Sequence, residues 1–88
     1  MQYKVIFYSE KIIIKDFSKI PEKNKKVIFQ KIKELQFHGV EKAQVKKLHN
    51  YLISDYRLRV GDYRILFNLD EKSEKIIIFR ILHRSKLY

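Results

Sequence analysis

The chain has no cysteine, and only two glycines and one proline stand among its 88 residues. The missing thiols exclude a disulfide framework, a thiolate zinc site and a cysteine nucleophile. So few turn residues, with no repeat and no low-complexity tract, leave no room for a linker, and one domain over residues 1–88 is expected. Apolar runs are short as well. Residues 5–8 and 65–67 are typical, far below the ~18 continuous apolar residues of a spanning helix. The run near the N-terminus meets charge too soon for a secretory signal, so a cytoplasmic location is expected, with no membrane partner. His38, His49 and His83 show neither a His-x-x-x-His spacing nor a neighbouring carboxylate pattern, which argues against a metal site. No cofactor is expected.

Acidic residues are also scarce. Ten Asp and Glu face twenty Lys and Arg, a formal charge of +10 that points to polyanionic partners, nucleic acid first.

Residues 3–8 are β-branched and aromatic and predict a strand. Ser9-Glu10 then offers a helix start ahead of a 3.6-period set at Ile13, Phe17 and Ile20, although the β-branched triplet 12–14 also suits a strand. Pro21 fits the first turn of a second helix whose apolar stripe is Ile28, Ile32 and Leu35, widened by Phe29, with lysines on the other faces. Gly39 stands where that helix should stop. Residues 40–54 have no clear period apart from the basic pair Lys46-Lys47 and read as a loop. From Asp55 the period becomes 2: Tyr56, Leu58 and Val60 take one face, Arg57 and Arg59 the other. Gly61-Asp62 supplies a two-residue hairpin turn, and Tyr63, Ile65, Phe67 and Leu69 resume the apolar face. After a turn at 70–74, residues 75–82 form a last strand. The expected fold is α+β in the order β-α-α-β-β-β: an antiparallel four-stranded sheet with the two helices packed on one face.

This register sets Arg59 directly opposite Arg64, with Arg57 on the same face. Two like charges about 5 Å apart repel by ~1 kcal/mol in water and ~3 kcal/mol at an effective dielectric of 20, so folding gains nothing from the pair. An anion between them reverses the sign, and the planar guanidinium fork suits phosphate oxygens. A solvated face that deters edge pairing is the plainer alternative. All five arginines, Arg57, Arg59, Arg64, Arg80 and Arg84, follow residue 56, while the helices carry only lysine. Geometric recognition is thus assigned to the sheet and diffuse attraction to the helices.

Residues 56–67 (Tyr-Arg-Leu-Arg-Val-Gly-Asp-Tyr-Arg-Ile-Leu-Phe) and the terminal His83-Arg84-Ser85-Lys86-Leu87-Tyr88 resemble the RelE branch of the RelE/ParE toxin superfamily. The opening strand, the lysine-rich second helix and Lys46-Lys47-Leu48 agree with that likeness, which spans almost the whole chain. It implies the toxin of a type II toxin-antitoxin module, a metal-independent endoribonuclease that cuts mRNA in the A site of the small ribosomal subunit. The 2′-hydroxyl attacks the adjacent phosphate, leaving a 2′,3′-cyclic phosphate and a 5′-hydroxyl. A cognate antitoxin is the implied protein partner. Carried over by position, Arg64 holds the scissile phosphate and its developing charge. Arg59 and Arg57 orient the message, Arg84 contacts phosphate or leaving group, and Tyr88 stacks on or orients a nucleotide. Lys46, Lys47 and Arg80 are further RNA contacts. His83 either ends the strand or serves as the general acid. His38 and His49 are assigned to surface or packing roles. His49-Asn50 stands where many relatives have glycine, and no residue follows Tyr88.

Two other functions fit the same residues. The ParE branch acts on DNA gyrase and generally lacks the terminal basic-aromatic set. A non-catalytic nucleic-acid-binding module would use the basic face alone, with Tyr3, Tyr51, Tyr63 and Tyr88 as stacking platforms.

Overall fold

The computed structural model of the chain describes residues 2–39, 45–49 and 52–87. Strand β1 (Lys4–Phe7) leads into helix α1 (Glu10–Phe17) and helix α2 (Glu22–His38). Ser9 caps α1, its side chain accepting from the Ile12 N–H at 3.3 Å. A satisfied helix start overrides the β-branching of residues 12–14, and only Ile13 of that triplet is buried. Pro21 stands at the N-cap of α2 rather than inside its first turn, and Gly39 ends the helix at φ +73, a conformation glycine adopts without strain.

Strands β2 (Val45–Lys47), β3 (Tyr56–Val60), β4 (Tyr63–Asp70) and β5 (Lys75–His83) complete a sheet in the order β1-β5-β4-β3-β2. The expected four antiparallel strands are therefore corrected in two respects. Val45–Lys47 forms a fifth strand at the edge, antiparallel to β3, where a loop was expected. Three residues are too few to display a period, and two of them are lysines that keep an edge from further pairing. Strand β1 runs parallel to β5. Strands joined by a tight turn must be antiparallel, but β1 and β5 are separated in the chain by two helices and three strands, and so long a connection permits parallel pairing.

Both helices pack on one face of the sheet, as expected. Ile13, Ile20, Ile28, Ile32 and Leu35 meet Leu58, Val60, Ile65, Phe67, Ile76, Ile78 and Ile81 in one apolar cluster. Full burial of each such side chain stabilises the fold by about 1.5–3 kcal/mol. Phe17 closes the cluster's edge by stacking on Phe29 with ring centroids 5.2 Å apart.

Ile78 and Ile81 are three apart, a spacing that strict alternation forbids for one face. The register shifts between Leu66 and Phe67: Leu66 pairs with Arg80, while Phe67 pairs with Ile78. This bulge leaves Phe79 as the extra residue and returns Ile81 to the core. The Phe79 ring lies against Tyr8, centroids 4.9 Å apart.

Candidate nucleic-acid interface

Gly61 enters the β3-β4 turn at φ +58, and Glu74 is the sole non-glycine residue with positive φ among the described residues. Asp62 thus has negative φ, so the turn has glycine in the left-handed first position and an ordinary second residue, the type II′ pattern that matches strand twist. That turn fixes the register: Val60 faces Tyr63, Leu58 faces Ile65 and Arg59 faces Arg64. Since Leu58 and Ile65 point into the core, the two arginines project from the opposite face. Arg57 shares it, and Lys46 of β2 pairs with Arg57 from the outside.

The Arg64 guanidinium is held by its own turn. Its Nη1 donates to the carbonyls of Gly61 at 2.8 Å and Tyr63 at 2.9 Å. One nitrogen is thereby fixed, and the remaining N–H groups stay available to an anion. Burial lowers the Arg64 pKa, and the charges of Arg59, Arg57 and Arg84 lower it further, while Asp62 pulls in the other direction. Three guanidinium groups thus act on a fourth across a small area.

The chain tail completes the cluster. After β5 it makes one 3-10 turn, Arg84–Lys86, and the Arg84 N–H donates to the Asp62 carbonyl at 2.7 Å. The Arg84 side chain stays exposed, its Nε 3.7 Å from Asp62 Oδ1. At that distance and exposure the ion pair contributes little.

Two adjoining clefts open on this face. One, of about 310 Å³, is lined by Val45, Lys46, Arg57, Arg59 and Arg64. The other, of about 320 Å³, is lined by Lys46, Lys47, Leu48, His49, Arg57, Leu66 and Leu87. Arg57 and Lys46 belong to both.

Of the residues picked out in the sequence, the structure brings Arg57, Arg59, Arg64, Arg84 and Lys46 together around the hairpin. Lys47 lines the second cleft. Arg80 is placed differently: its Nε and Nη2 donate to the two carboxylate oxygens of the buried Asp16, at 2.9 and 2.8 Å. His83 pairs with Tyr63 and lies edge-on to its ring, centroids 5.4 Å apart. It therefore occupies the helix-bearing face, opposite Arg59 and Arg64. Its Nδ1 accepts from the Ser85 N–H at 3.2 Å. Together with Asp16, Lys19 and Ile20 it lines a separate cavity of about 440 Å³. Tyr88, like Asn50 and Tyr51, lies outside the described residues. No three His, Cys, Asp or Glu side chains cluster among the described residues.

Sequence reasoning missed the cleft around Leu66 and the placing of His49 in its wall. Residues 65–67 form a continuous apolar run, which hides the face each residue takes. The signal was the register itself, since a residue opposite Arg57 must share its face. Asp16 was also missed, although it lies on the buried stripe of α1 between Ile13 and Ile20.

Residues 6–88 match the family described as the ParE toxin of the parDE type II toxin-antitoxin system. Similar solved structures come from archaea and a bacterium. A chain of the RelB-RelE antitoxin-toxin complex of Methanococcus jannaschii is 32% identical, with 94% of each chain covered and a TM-score of 0.73. One from the RelE-RelB complex of Pyrococcus horikoshii OT3 is 27% identical, covering 98% of this chain and 99% of that one, with a TM-score of 0.76. The toxin-antitoxin complex RelBE2 of Mycobacterium tuberculosis gives 25% identity over 96% of this chain and 100% of the other, with a TM-score of 0.66. Among curated proteins none matches. The fold, the hairpin and these likenesses define a small type II toxin. The chain belongs to the RelE/ParE superfamily.

Proposed function

We propose that this toxin is a ribosome-dependent endoribonuclease that cleaves mRNA in the A site, the 2′-hydroxyl of the message serving as nucleophile. The observation that carries this reading is the pairing of Arg59 with Arg64 on the exposed face, with Arg57 and Arg84 close enough to perturb Arg64. Such a cluster opposes folding and is resolved by an anion of high charge density.

In this mechanism the scissile phosphate sits against Arg64, whose turn-anchored fork meets the charge that builds on the phosphoryl oxygens as the 2′-oxygen attacks. The 2′-hydroxyl proton passes to water as the new P–O bond forms. The P–O5′ bond then breaks, and the departing 5′-oxygen takes a proton, giving a 2′,3′-cyclic phosphate and a 5′-hydroxyl. Arg59 and Arg57 align the message, Arg84 addresses the phosphate or the leaving oxygen, and Tyr88 orients a nucleotide or assists proton transfer. His83 faces away from this seat, and the mechanism assigns it no proton.

A cognate antitoxin is the protein partner of this reading. An amphipathic segment has apolar ground to cover on the helices, where Ile14, Val27, Phe29 and Phe37 are all exposed. The surrounding charge of +10 favours an acidic partner.

The ParE description of the matched family favours a second reading, inhibition of DNA gyrase. Purified protein added to translating ribosomes separates the two. Primer extension should map cuts within the A-site codon, and Arg64→Ala should reduce cleavage at least about 100-fold, the loss typical of removing one transition-state donor. Intact mRNA together with blocked gyrase supercoiling would overturn the ribonuclease assignment.

A further inference from the structure

We propose that the cleft over Leu66 is a nucleobase site that prefers keto bases, uracil or guanine. This deepens the reading of the arginine cluster as a holder of RNA phosphate and rests on it.

The strand face that carries Arg57, Arg59 and Arg64 also carries Leu66, which pairs with Arg57 and is fully buried. It stands outside the main apolar cluster. Leu48, from the end of β2, and Leu87, from the chain tail, line the same cleft, giving it an apolar lining. Lys46, His49 and Arg57 line it as well and supply the polar groups. The neighbouring cleft is different in kind, lined by four cationic side chains and a single valine. An apolar cleft beside a cationic one matches the two parts of a nucleotide. Because the clefts share Lys46 and Arg57, a phosphate held in one carries its own nucleoside to the mouth of the other. The cleft's volume of about 320 Å³ is at the small end for ligand pockets and suits a base with part of its sugar.

Polarity then selects among the bases. Lysine and arginine have donors and no acceptor. On the edge that faces the major groove of a duplex, uracil offers O4 and guanine offers O6 and N7, whereas adenine sets an amino donor beside its N7 and cytosine presents an amino donor, which a lysine or guanidinium cannot accept. Stacking strength alone would favour adenine over uracil, so a uracil preference isolates the contribution of Lys46 and Arg57.

The test uses the purified chain and fluorescent hexanucleotides with 2′-O-methyl sugars, which bind but cannot be cleaved. Oligouridylate should bind at least about fivefold tighter than oligoadenylate. One abasic position within oligouridylate should cost about tenfold, near the low end for losing one stacked base. In Leu87→Ser and in His49→Ala, which alter the wall and leave Lys46 and Arg57 in place, the abasic cost should fall below about twofold, while the salt dependence of binding stays as in the parent. The probe comparison on the unaltered protein needs no variant and does not depend on one folding. Steep salt dependence with equal affinity for uridylate, adenylate and abasic probes would overturn the base site and leave the phosphate seat standing. An abasic cost that survives both substitutions would also overturn it, and would leave the leucines to a protein partner. Salt-independent binding would overturn seat and base site together.

Discussion

Arg80 and Arg59 stand on strands of one sheet, yet the first meets a carboxylate and the second meets another arginine. Arg80 reaches both oxygens of Asp16, whose side chain is only 3% exposed. The same carboxylate accepts from the Ile81 N–H at 3.1 Å. Strand β1 ends at Phe7, opposite Ile78, so beyond that point β5 has no strand partner along this edge among the described residues. Asp16 supplies the acceptor that the missing strand would have offered. This corner is electrostatically complete and has a structural task. At the hairpin, by contrast, no described carboxylate pairs with Arg57 or Arg59, and the nearby Asp62 is exposed and loosely placed against Arg84. The contrast separates an arginine that a buried carboxylate holds to the fold from arginines that crowd one another with no described carboxylate between them.

Breaking the complete corner should have the largest effect. Asp16→Ala strands the Ile81 N–H and leaves the half-buried Arg80 without its bidentate partner. Stability should fall by about 3 kcal/mol, within the range for removing one member of a buried pair. Urea denaturation followed by circular dichroism measures it. Asp16→Asn keeps one carbonyl acceptor for Ile81 and should recover part of the loss. A change below about 1 kcal/mol in Asp16→Ala would remove the distinction between the two regions.

The next effect concerns the incomplete region. Inorganic phosphate should stabilise the protein beyond what chloride achieves at equal ionic strength, since only the native hairpin assembles the four guanidinium groups. At tenfold excess over its dissociation constant the gain is about 1.4 kcal/mol. Phosphate also stabilises proteins generally by exclusion from their surface, so the diagnostic quantity is the difference from Arg64→Ala. Thermal melts of both proteins in phosphate and in chloride measure that difference. Equal gains in both would show that the cluster holds no anion.

The two regions were not equally legible in the sequence. Alternation through residues 56–60 and the Gly61-Asp62 turn were enough to place Arg59 against Arg64, because a two-residue turn leaves a single register. The helices were readable from Ile13, Phe17 and Ile20 and from Ile28, Ile32 and Leu35, and the order of the elements held apart from β2. What stayed hidden depends on contacts distant in sequence or on breaks in period. The parallel pairing of β1 with β5 joins strands that two helices and three strands separate in the chain, so no local pattern announces it. The bulge at Phe79 cannot be seen in residues 76–79, which are apolar throughout and give no phase. Arg80 looked like a companion of the other arginines, because its partner lies 64 positions earlier. His83 was one position away from the arginine face, and in a strand that one step carries a side chain to the other side.

The smallest effect has the most informative sign. Truncating a surface side chain usually changes stability slightly and unfavourably. At Arg59 the removed charge faces Arg64 across a non-covalent pair and lies near Arg57, so its loss relieves repulsion. Coulomb energies of ~1–3 kcal/mol for a pair at 5 Å apply between water and a dielectric of 20, and exposure of Arg59 places it at the watery end. Loss of the arginine stem's packing offsets part of that gain. Arg59→Ala should therefore raise stability by about 0.5 kcal/mol at low ionic strength, and Arg59→Glu, which turns repulsion into attraction, should raise it more. Because salt screens the repulsion in the parent protein, the advantage of either variant should shrink toward zero near 1 M salt, where the Debye length is about 3 Å. Denaturation midpoints at low and high salt measure both statements. A destabilised Arg59→Ala whose deficit ignores salt would mean that Arg59 is held by packing, and the hairpin would then resemble the Asp16 corner more than it differs from it.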